Sequence, residues 1–387
     1  MHRTPPCGPR VSRRGFVAGA AALATLRPSP SPARSGDGDR TAFFVVGDTH
    51  FLADADAPDR LDARSAAMTG ALVDTLNRLV GTEIPDAAGG GCVREPCGVI
   101  HAGDVIDTGD KQGDGAARMQ ATEIAAFERV MGLTGGDGAL GWPVYEVHGN
   151  HDSPRAEGVA IERIVARNRV RPGVRRVSPD GLHYSWDSGP LHFVHLGIVV
   201  GGVPGLARRR RYAPRGSLDF LRDDLALEVG QSGRPVILVH HVDIARYTEP
   251  VPDDAPFADK EWDPADVGGF HAALEGYEVA AIFHGHTHAR AVWRWDGSSV
   301  RPGPAGSLEE HDVDADDRAG SDAAARSIRD VFNCDNSSHF GGPAQAFFYV
   351  EAGPDGLVVR EFATRDGWKT GAWSPLSWSR AAVGARV

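Results

Sequence analysis

The chain lacks most of the features that would place it in a membrane, in a zinc finger or on nucleic acid. Beyond residue 33 it has no run of 18 or more apolar residues, so no later segment predicts a membrane helix. Its four cysteines lack the spacing of a cysteine–zinc site, and no internal repeat is present. Basic residues are outnumbered, 41 against 52 acidic ones. A chain this acidic is a poor general binder of nucleic acid, and we expect no nucleic-acid partner.

The first 33 residues indicate a twin-arginine export signal. Ser12-Arg13-Arg14-Gly15-Phe16 precedes a short apolar run without acids, which is too short to remain as a membrane helix. Removing this segment takes away five arginines and changes the formal net charge from −11 to −16. We therefore expect export to the periplasm or the extracellular space. Whether Cys92 and Cys97 of the exported chain are bridged is left open.

The remaining chain alternates short β-branched or aromatic runs with helical patterns, which predicts an α/β protein. Residues 301–327 and 81–97 have the composition of surface insertions. Two late stretches, 345–352 and 356–363, are expected to complete a second sheet, and the Trp-rich tail to pack on it. The predicted strands are 43–46, 99–102, 144–147, 192–196, 236–239 and 280–283, and the predicted helices are 66–80, 119–131, 217–228 and 268–274.

Five of the predicted strands end in a cluster of polar side chains. In open α/β sheets, functional side chains gather beyond the carboxyl ends of the strands, so we expect the clusters to converge on one cleft. Asp48 with His50, and His286 with His288, are two residues apart and would point the same way on an extended chain. Carboxylate, imidazole and amide ligands without thiolate suit Mn, Fe, Zn or Ni. The clusters are Gly47-Asp48-Thr49-His50, Gly103-Asp104-Val105-Ile106-Asp107, Gly149-Asn150-His151-Asp152, His240-His241 and His284-Gly285-His286-Thr287-His288.

Together these clusters resemble the calcineurin-like metallophosphoesterases. The motifs D-x-H, G-D-x-x-D, G-N-H-D, a strand-terminal His and G-H-x-H occur in the family's order over about residues 43–350. The resemblance implies a four-layer α/β/β/α sandwich of two mixed sheets flanked by helices, and two divalent metal ions bridged by Asp104. The implied ligands are Asp48, His50, Asp104 and His288 for the first ion, and Asp104, Asn150, His240 and His286 for the second.

The resemblance also implies a function, the hydrolysis of a phosphate monoester or diester by metal-bound hydroxide. His151 would face the substrate and help to protonate the leaving oxygen, and Asp107 would orient His151. Asp107 stands where purple acid phosphatases have a metal-binding Tyr, so an iron–tyrosinate site is not expected. A metal-binding module of the same fold without catalysis, or a nuclease, is the alternative. The expected partner is a small phosphate ester, and the oligomeric state is left open.

The sequence allows two roles for several residues. The family favours His240 over His241 as the ligand. Arg209 and Arg210, within the run 208–211, would bind substrate phosphate, or else they lie in a solvated basic loop. His339 would line the rim of the cleft, or else it is an ordinary loop histidine. Residues 247–264 would cap the site or form a surface loop. The expected division is a signal at 1–33, a catalytic domain at 41–365 and a tail at 366–387.

Overall fold

The computed structural model describes residues 40–244, 251–252, 254–297, 299–302, 328–334, 336–342, 344–353 and 356–381. The export signal predicted at 1–33 lies outside the described residues, as do 303–327 of the predicted insertion and 247–250 and 253 of the possible cap.

The described residues form sixteen strands and five α-helices. The helices are α1 (Ala63–Leu79), α2 (Asp114–Met131), α3 (Val159–Val170), α4 (Ser217–Asp224) and α5 (Pro264–Ala273), with a 3₁₀ turn at Asp86–Ala88 and a π-helical turn at Leu225–Val229. The strands are β1 (Thr41–Val46), β2 (Ala53–Asp54), β3 (Ala57–Leu61), β4 (Val99–His101), β5 (Val144–Glu146), β6 (Val174–Val177), β7 (Tyr184–Ser188), β8 (Leu191–His195), β9 (Val236–Val239), β10 (Val279–His284), β11 (Ala291–Trp295), β12 (Val300–Pro302), β13 (Arg329–Asn333), β14 (Gln345–Gly353), β15 (Gly356–Thr364) and β16 (Ala372–Ala381).

Two large mixed sheets carry the site. The six-stranded sheet has the order β16-β15-β14-β1-β4-β5, and β1, β4 and β5 run parallel. The eight-stranded sheet has the order β12-β11-β13-β10-β9-β8-β7-β6, and β8, β9, β10 and β13 run parallel. The parallel strands of each sheet therefore end at one edge, which is where the predicted polar clusters begin.

The two sheets pack face to face, and helices cover their outer faces. Along β1, Phe43 and Val45 belong to the core between the sheets, whereas Phe44 and Val46 belong to the core under α1 and α2. This alternation follows from the two-residue period of a strand. Burying each such side chain contributes about 1.5–3 kcal/mol. A third core lies between the larger sheet and helices α4 and α5. The expected four-layer sandwich of two mixed sheets is confirmed.

The structure contains one helix, α3, and several strands that were not predicted, among them β6, β7, β11 and β13. The stretches 345–352 and 356–363 were expected to complete a second sheet. They form β14 and β15, and β14 pairs antiparallel with β1 in the first sheet. The tail contributes β16 to the same sheet. Both faces of β14 are buried, so its sequence does not indicate which strand it pairs with.

No helix among the described residues is both long and apolar enough to cross a membrane. Cys97 is a free thiol and is therefore not bridged to Cys92. Burial raises the pKa of Cys97 to about 11, so this thiol is a poor nucleophile at neutral pH.

A buried histidine at the start of β8 predicts a pH-dependent part of the stability. His192 is fully buried, with Nδ1 2.8 Å from Asp187 Oδ1 and Nε2 2.7 Å from Asp224 Oδ2. Burial alone would lower the pKa of His192, but its hydrogen bonds to Asp224 and Asp187 raise it above the ordinary value. A raised pKa in the folded state stabilises the fold fully below the unfolded pKa of about 6.5, and this stabilisation is lost as the pH rises through the folded pKa.

We expect His192→Gln to lower the free energy of unfolding by about 1–3 kcal/mol near pH 6, because two hydrogen bonds between charged groups are lost. The loss should be smaller near pH 9, where His192 of the unaltered protein is closer to neutral. Urea unfolding of both proteins at the two pH values measures this difference. Equal losses at pH 6 and pH 9 would contradict a charged His192.

Candidate metal centre

The loops after β1, β4 and β5 are held side by side by main-chain hydrogen bonds that continue the sheet. The Asp48 N–H donates to the Gly103 carbonyl at 3.0 Å, and the His50 N–H donates to the Asp104 carbonyl at 3.1 Å. From the second sheet, the Gly285 N–H donates to the His241 carbonyl at 3.1 Å. The carboxyl ends of both sheets therefore deliver their polar side chains into one cluster, as expected for an α/β protein.

The backbone of this cluster is left-handed at five of the predicted ligands. Asp48, His50, Asp104, His286 and His288 have φ values of 51°, 44°, 53°, 81° and 50°. Such conformations cost about 1–3 kcal/mol each for residues other than glycine and are concentrated at functional sites. Asp48 and His50 were expected to point the same way on an extended chain. Instead, a turned backbone brings the two side chains together.

Two positions in the motifs require glycine, because the main chain there lies very close to a buried carboxylate. A Cβ atom on Gly149 would lie 2.2 Å from Asp104 Oδ1, and one on Gly285 would lie 2.3 Å from Asp48 Oδ2. Real Cβ atoms do not approach oxygen this closely. The glycines in G-N-H-D and G-H-x-H therefore make room for the buried acids.

Asp48, His50 and His288 form the first group of possible ligands, and their ligand atoms lie within 4.8 Å of one another. The Nε2 atoms of His50 and His288 are 3.0 Å apart. His288 Nε2 is 3.4 Å from Asp48 Oδ1, and His50 Nε2 is 3.6 Å from Asp104 Oδ2. Two imidazole nitrogens this close, next to buried carboxylates, suit a shared cation.

Asp104, His241 and His286 form a second group, and Asn150 lies within it. His286 Nδ1 is 2.7 Å and His241 Nε2 is 3.1 Å from Asn150 Oδ1. His241 Nε2 is also 3.2 Å from Asp104 Oδ2. Asp104 belongs as well to a group with His50 and His151. Its carboxylate therefore lies between the two predicted ion positions.

The structure brings His241, and not the predicted His240, into this cluster. Val239 of β9 faces the core between the sheets, whereas Leu238 faces the helices. By the same alternation, His240 points toward the helices and packs its ring against Trp262 and Phe270, at centroid distances of 5.4 and 5.8 Å. His241 accordingly points into the cleft.

The environment of His241 suits a ligand. Its Nδ1 donates to the Ala102 carbonyl at 2.8 Å, which leaves Nε2 for an ion. Burial alone would lower the pKa of His241, but the charge of Asp104, the hydrogen bond to it and the charge of Asp48 raise the pKa to about 9. Burial alone would raise the pKa of Asp104, but the charges of His241, His50 and His151 hold it well below its usual range.

These neighbouring histidines give a matched pair of variants. We expect His241→Ala to weaken the binding of one of the two ions by at least roughly 10- to 100-fold. Loss of a residue that only hydrogen-bonds to a metal ligand already has an effect of this size. His240→Phe should keep both ions, because the His240 ring packs against Trp262 and Phe270 and does not point into the cluster. Calorimetric titration with Mn²⁺ compares them. Loss of an ion in the His240 variant alone would restore His240 as the ligand.

Asp107 and His151 are both in the site, but their contact differs from the expected one. Asp107 Oδ1 is 3.2 Å from His50 Nδ1, and its Oδ2 accepts from Lys111 Nζ at 3.2 Å. His151 Nδ1 instead donates to the main-chain carbonyl of Asp107 at 3.0 Å. The carboxylate therefore orients His50, and the carbonyl orients His151. Sequence spacing could not show which group of Asp107 contacts which histidine, because the carboxylate and the carbonyl belong to the same residue.

His151 is set up to carry a proton. Burial alone would lower its pKa, but the charge of Asp104 and the hydrogen bond to the Asp107 carbonyl raise the pKa above the ordinary value. Its ring centroid is 4.8 Å from that of His50. A histidine with a raised pKa beside the ligand groups suits a proton donor to a leaving group.

Asp152, the last residue of G-N-H-D, ties two of the loops together, a role that was not predicted. Its carboxylate accepts from the main-chain N–H groups of Val105, Ile106 and Gly149 at 3.1, 2.8 and 2.7 Å. Burial and the charge of Asp104 raise the pKa of Asp152 to about 7. The sequence signal for this role is an Asp directly after G-N-H in a loop, because a short Asp side chain can accept hydrogen bonds from nearby main-chain N–H groups.

Of the three predicted substrate-binding residues, His339 lies at the ligand groups, Arg209 is exposed and Arg210 is paired with Asp266. His339 lies at the first group, with its ring centroid 4.7 Å from that of His50 and 4.9 Å from that of His288. Arg209 is exposed, and its guanidinium lies over the Phe257 ring. Arg210 is paired with Asp266, and its Nη2 also donates to the Val203 carbonyl at 3.0 Å. The structure therefore does not bring Arg210 to the cluster.

The sequence model of the calcineurin-like phosphoesterase family matches residues 41–290. This is more than half of the chain, and the chain therefore belongs to that family. No curated protein matches it.

Several solved structures are similar to the chain at low identity. Purple acid phosphatase PPD1 from yellow lupin (Lupinus luteus) seeds is 13% identical with a TM-score of 0.46, over 91% of this chain and 55% of the lupin chain. The chain thus spans about half the length of the lupin protein. YfkN, a calcineurin-like phosphoesterase from Bacillus subtilis, is 13% identical with a TM-score of 0.38, over 88% of this chain and 90% of its own. A metallophosphoesterase from Sphaerobacter thermophilus is 11% identical with a TM-score of 0.28, over 80% and 83%.

Proposed function

We propose that the chain is an exported phosphoesterase that uses two divalent ions to hydrolyse a phosphate monoester or diester. The observation that carries this proposal is the position of Asp104. Its buried carboxylate belongs to two groups of possible ligands, one with His241 and His286 and one with His50 and His151. His50 also belongs to the group of Asp48 and His288. A single carboxylate between two ligand sets is the arrangement that holds a pair of ions close together.

The donor set fits two divalent ions of the Mn, Fe, Zn or Ni type, because it combines carboxylate, imidazole and amide oxygen without thiolate. When bound, the pair would supply positive charge for the phosphoryl oxygens and activate water for attack on phosphorus. Two such ions bring four positive charges against the two ligand carboxylates, which makes an anionic substrate compatible with an acidic chain. The proposed ligands are Asp48, His50, Asp104 and His288 for one ion, and Asp104, Asn150, His241 and His286 for the other.

The remaining roles belong to side chains that position or protonate. Asp107 holds His50 through Nδ1 and so presents its Nε2 to the cluster. The Asp107 carbonyl holds His151 through Nδ1, which leaves Nε2 to protonate the departing alcohol. His339 would contact the substrate because it borders the first group, and Arg209 because its side chain is exposed. Arg210 would not, since Asp266 binds its guanidinium.

Export through the twin-arginine route is part of the proposal and is supported by Ser12-Arg13-Arg14-Gly15-Phe16 and the apolar run that follows. The catalytic unit is proposed to be the described two-sheet domain that begins at about residue 41. Fractionation of cells that produce the full chain checks the location, and retention in the cytoplasm would count against export.

The activity is tested with p-nitrophenyl phosphate and bis(p-nitrophenyl) phosphate after addition of Mn, Fe, Zn or Ni. We expect metal-dependent release of nitrophenol that chelation abolishes. Selective cleavage of the monoester would define a phosphatase, and selective cleavage of the diester a phosphodiesterase. Two tightly bound ions without cleavage of either ester, or of a panel of natural phosphate esters, would favour a binding module that lacks catalysis.

A further inference from the structure

The run of four arginines at 208–211 holds a segment that contacts the metal centre through Glu261. We call residues 254–263 the strap. Arg208 Nη2 is 2.7 Å from Asp263 Oδ2, and both side chains are buried. Arg211 Nη1 donates to the Asp259 carbonyl at 3.1 Å. The arginine run therefore binds the strap at its C-terminal end and near its middle.

Main-chain hydrogen bonds and a tryptophan fix the strap further. The Ala258 N–H donates to the Arg209 carbonyl at 2.7 Å, and the Arg209 N–H donates to the Pro256 carbonyl at 3.3 Å. Trp262 is buried, and its Nε1 donates to the Val242 carbonyl at 3.2 Å, next to His241. Between these anchors lies Glu261, which was not singled out in the sequence.

Glu261 contacts the outer nitrogen of a proposed ligand. Its Oε2 is 3.3 Å from His286 Nε2, and each of the two side chains is only 10% exposed. The other ring nitrogen, Nδ1, is 2.7 Å from Asn150 Oδ1 within the second ligand group. A proton on Nε2 that is donated to Glu261 leaves the lone pair of Nδ1 directed toward that group.

We propose that Glu261 is a positioning residue of the second ion site, and that the arginine run serves to hold the strap that delivers it. The carboxylate fixes the ring orientation of His286, selects the tautomer with a free Nδ1 and increases the basicity of that nitrogen. This proposal rests on the proposed two-ion function.

The direct test is Mn²⁺ binding by Glu261→Ala and Glu261→Gln. Glu261→Ala is expected to weaken the ion held by His286 roughly 10- to 100-fold and to leave the other ion unchanged. Glu261→Gln should lose less, because its amide oxygen can still accept from Nε2. Isothermal titration gives both affinities, and the visible absorption of the Co²⁺ forms reports the ligand geometry.

Asp259→Asn is the matched control. It removes the same charge from the same strap, but its side chain is exposed. We expect its two Mn²⁺ affinities and its Co²⁺ spectrum to equal those of the unaltered protein. Unchanged affinities in Glu261→Ala would overturn the proposal. So would equal losses in Asp259→Asn and Glu261→Ala, since these would indicate a general charge effect.

The role of the arginine run is tested with the double variant Arg208→Met, Asp263→Asn. Both charges of the buried pair are removed together. Asp263 caps the first turn of α5 through the Ala265 N–H, and an asparagine side chain at this position can still do so. Weaker binding of the same ion is expected, with no further loss when Glu261→Ala is added, because both changes act through His286. No effect of the double variant, or additive losses, would overturn this part.

The outcomes separate this inference from the proposed function. If the unaltered protein binds fewer than two ions, the two-ion function itself fails, whatever the Glu261 variants do. If it binds two ions and Glu261→Ala binds them equally well, only the role of Glu261 fails.

Discussion

Replacing Asp104 with asparagine is expected to lower turnover by on the order of 10³-fold, which corresponds to about 4 kcal/mol of lost charge stabilisation. Asp104 is the residue shared by the ligand groups, and its side chain is almost fully buried. An amide keeps the shape but removes the negative charge between the two ions, so their mutual repulsion is no longer offset. Metal analysis after dialysis should show fewer than two ions per chain.

Asp114→Asn provides the comparison for this variant. Asp114 is exposed in the first turn of α2, so its replacement removes an equal charge from the segment that follows Asp104 without changing a ligand group. It should keep two ions and near-normal turnover. An Asp104→Asn protein that keeps two ions and full activity would show that Asp104 does not bridge them.

Replacing His151 with alanine should leave both ions bound and lower turnover by roughly 10²- to 10⁴-fold for esters of poor leaving groups. The reason is that His151 is held by the Asp107 carbonyl and has a raised pKa, so it can give a proton to the departing oxygen. Esters of p-nitrophenol need little protonation of the leaving oxygen and should lose much less.

The slope of log turnover against leaving-group pKa measures this role, in parallel with metal content. The slope should become steeper in His151→Ala than in the unaltered protein. Equal losses for good and poor leaving groups would assign His151 to binding of the phosphoryl group alone. Loss of a metal ion in this variant would instead make His151 a ligand.

Much of the fold could be predicted because local pattern determines it. The strand at 236–239 was predicted at its observed bounds, since four adjacent β-branched or aliphatic residues between polar segments form a strand buried on both faces. The helix at 114–131 was predicted only from residue 119, because its first turn is weakly apolar. Strand pairing depends on distant residues, and the pairing of β14 with β1 was therefore not predicted.

The candidate site shows a similar division. Motif order indicated Asp48, His50, Asp104, Asn150, His286 and His288, which the structure brings together. Motif order favoured His240 as the ligand. Strand alternation instead indicates His241, because Ile237 and Val239 face the core between the sheets and His241 follows them at the same two-residue spacing. The side chain that Asp107 holds and the function of the arginine run depend on loop geometry. Loop geometry arises from left-handed residues and tertiary contacts, which have no local sequence signal.

The most direct test of the account is to count the metal ions bound per chain while turnover is measured. The chain without residues 1–33 is freed of metal, titrated with Mn²⁺ and assayed at each addition with the better of the two nitrophenyl esters. The account predicts that turnover rises to a plateau at two ions per chain and disappears on chelation. Full turnover with one ion, or turnover that survives chelation, would contradict a two-ion centre bridged by Asp104.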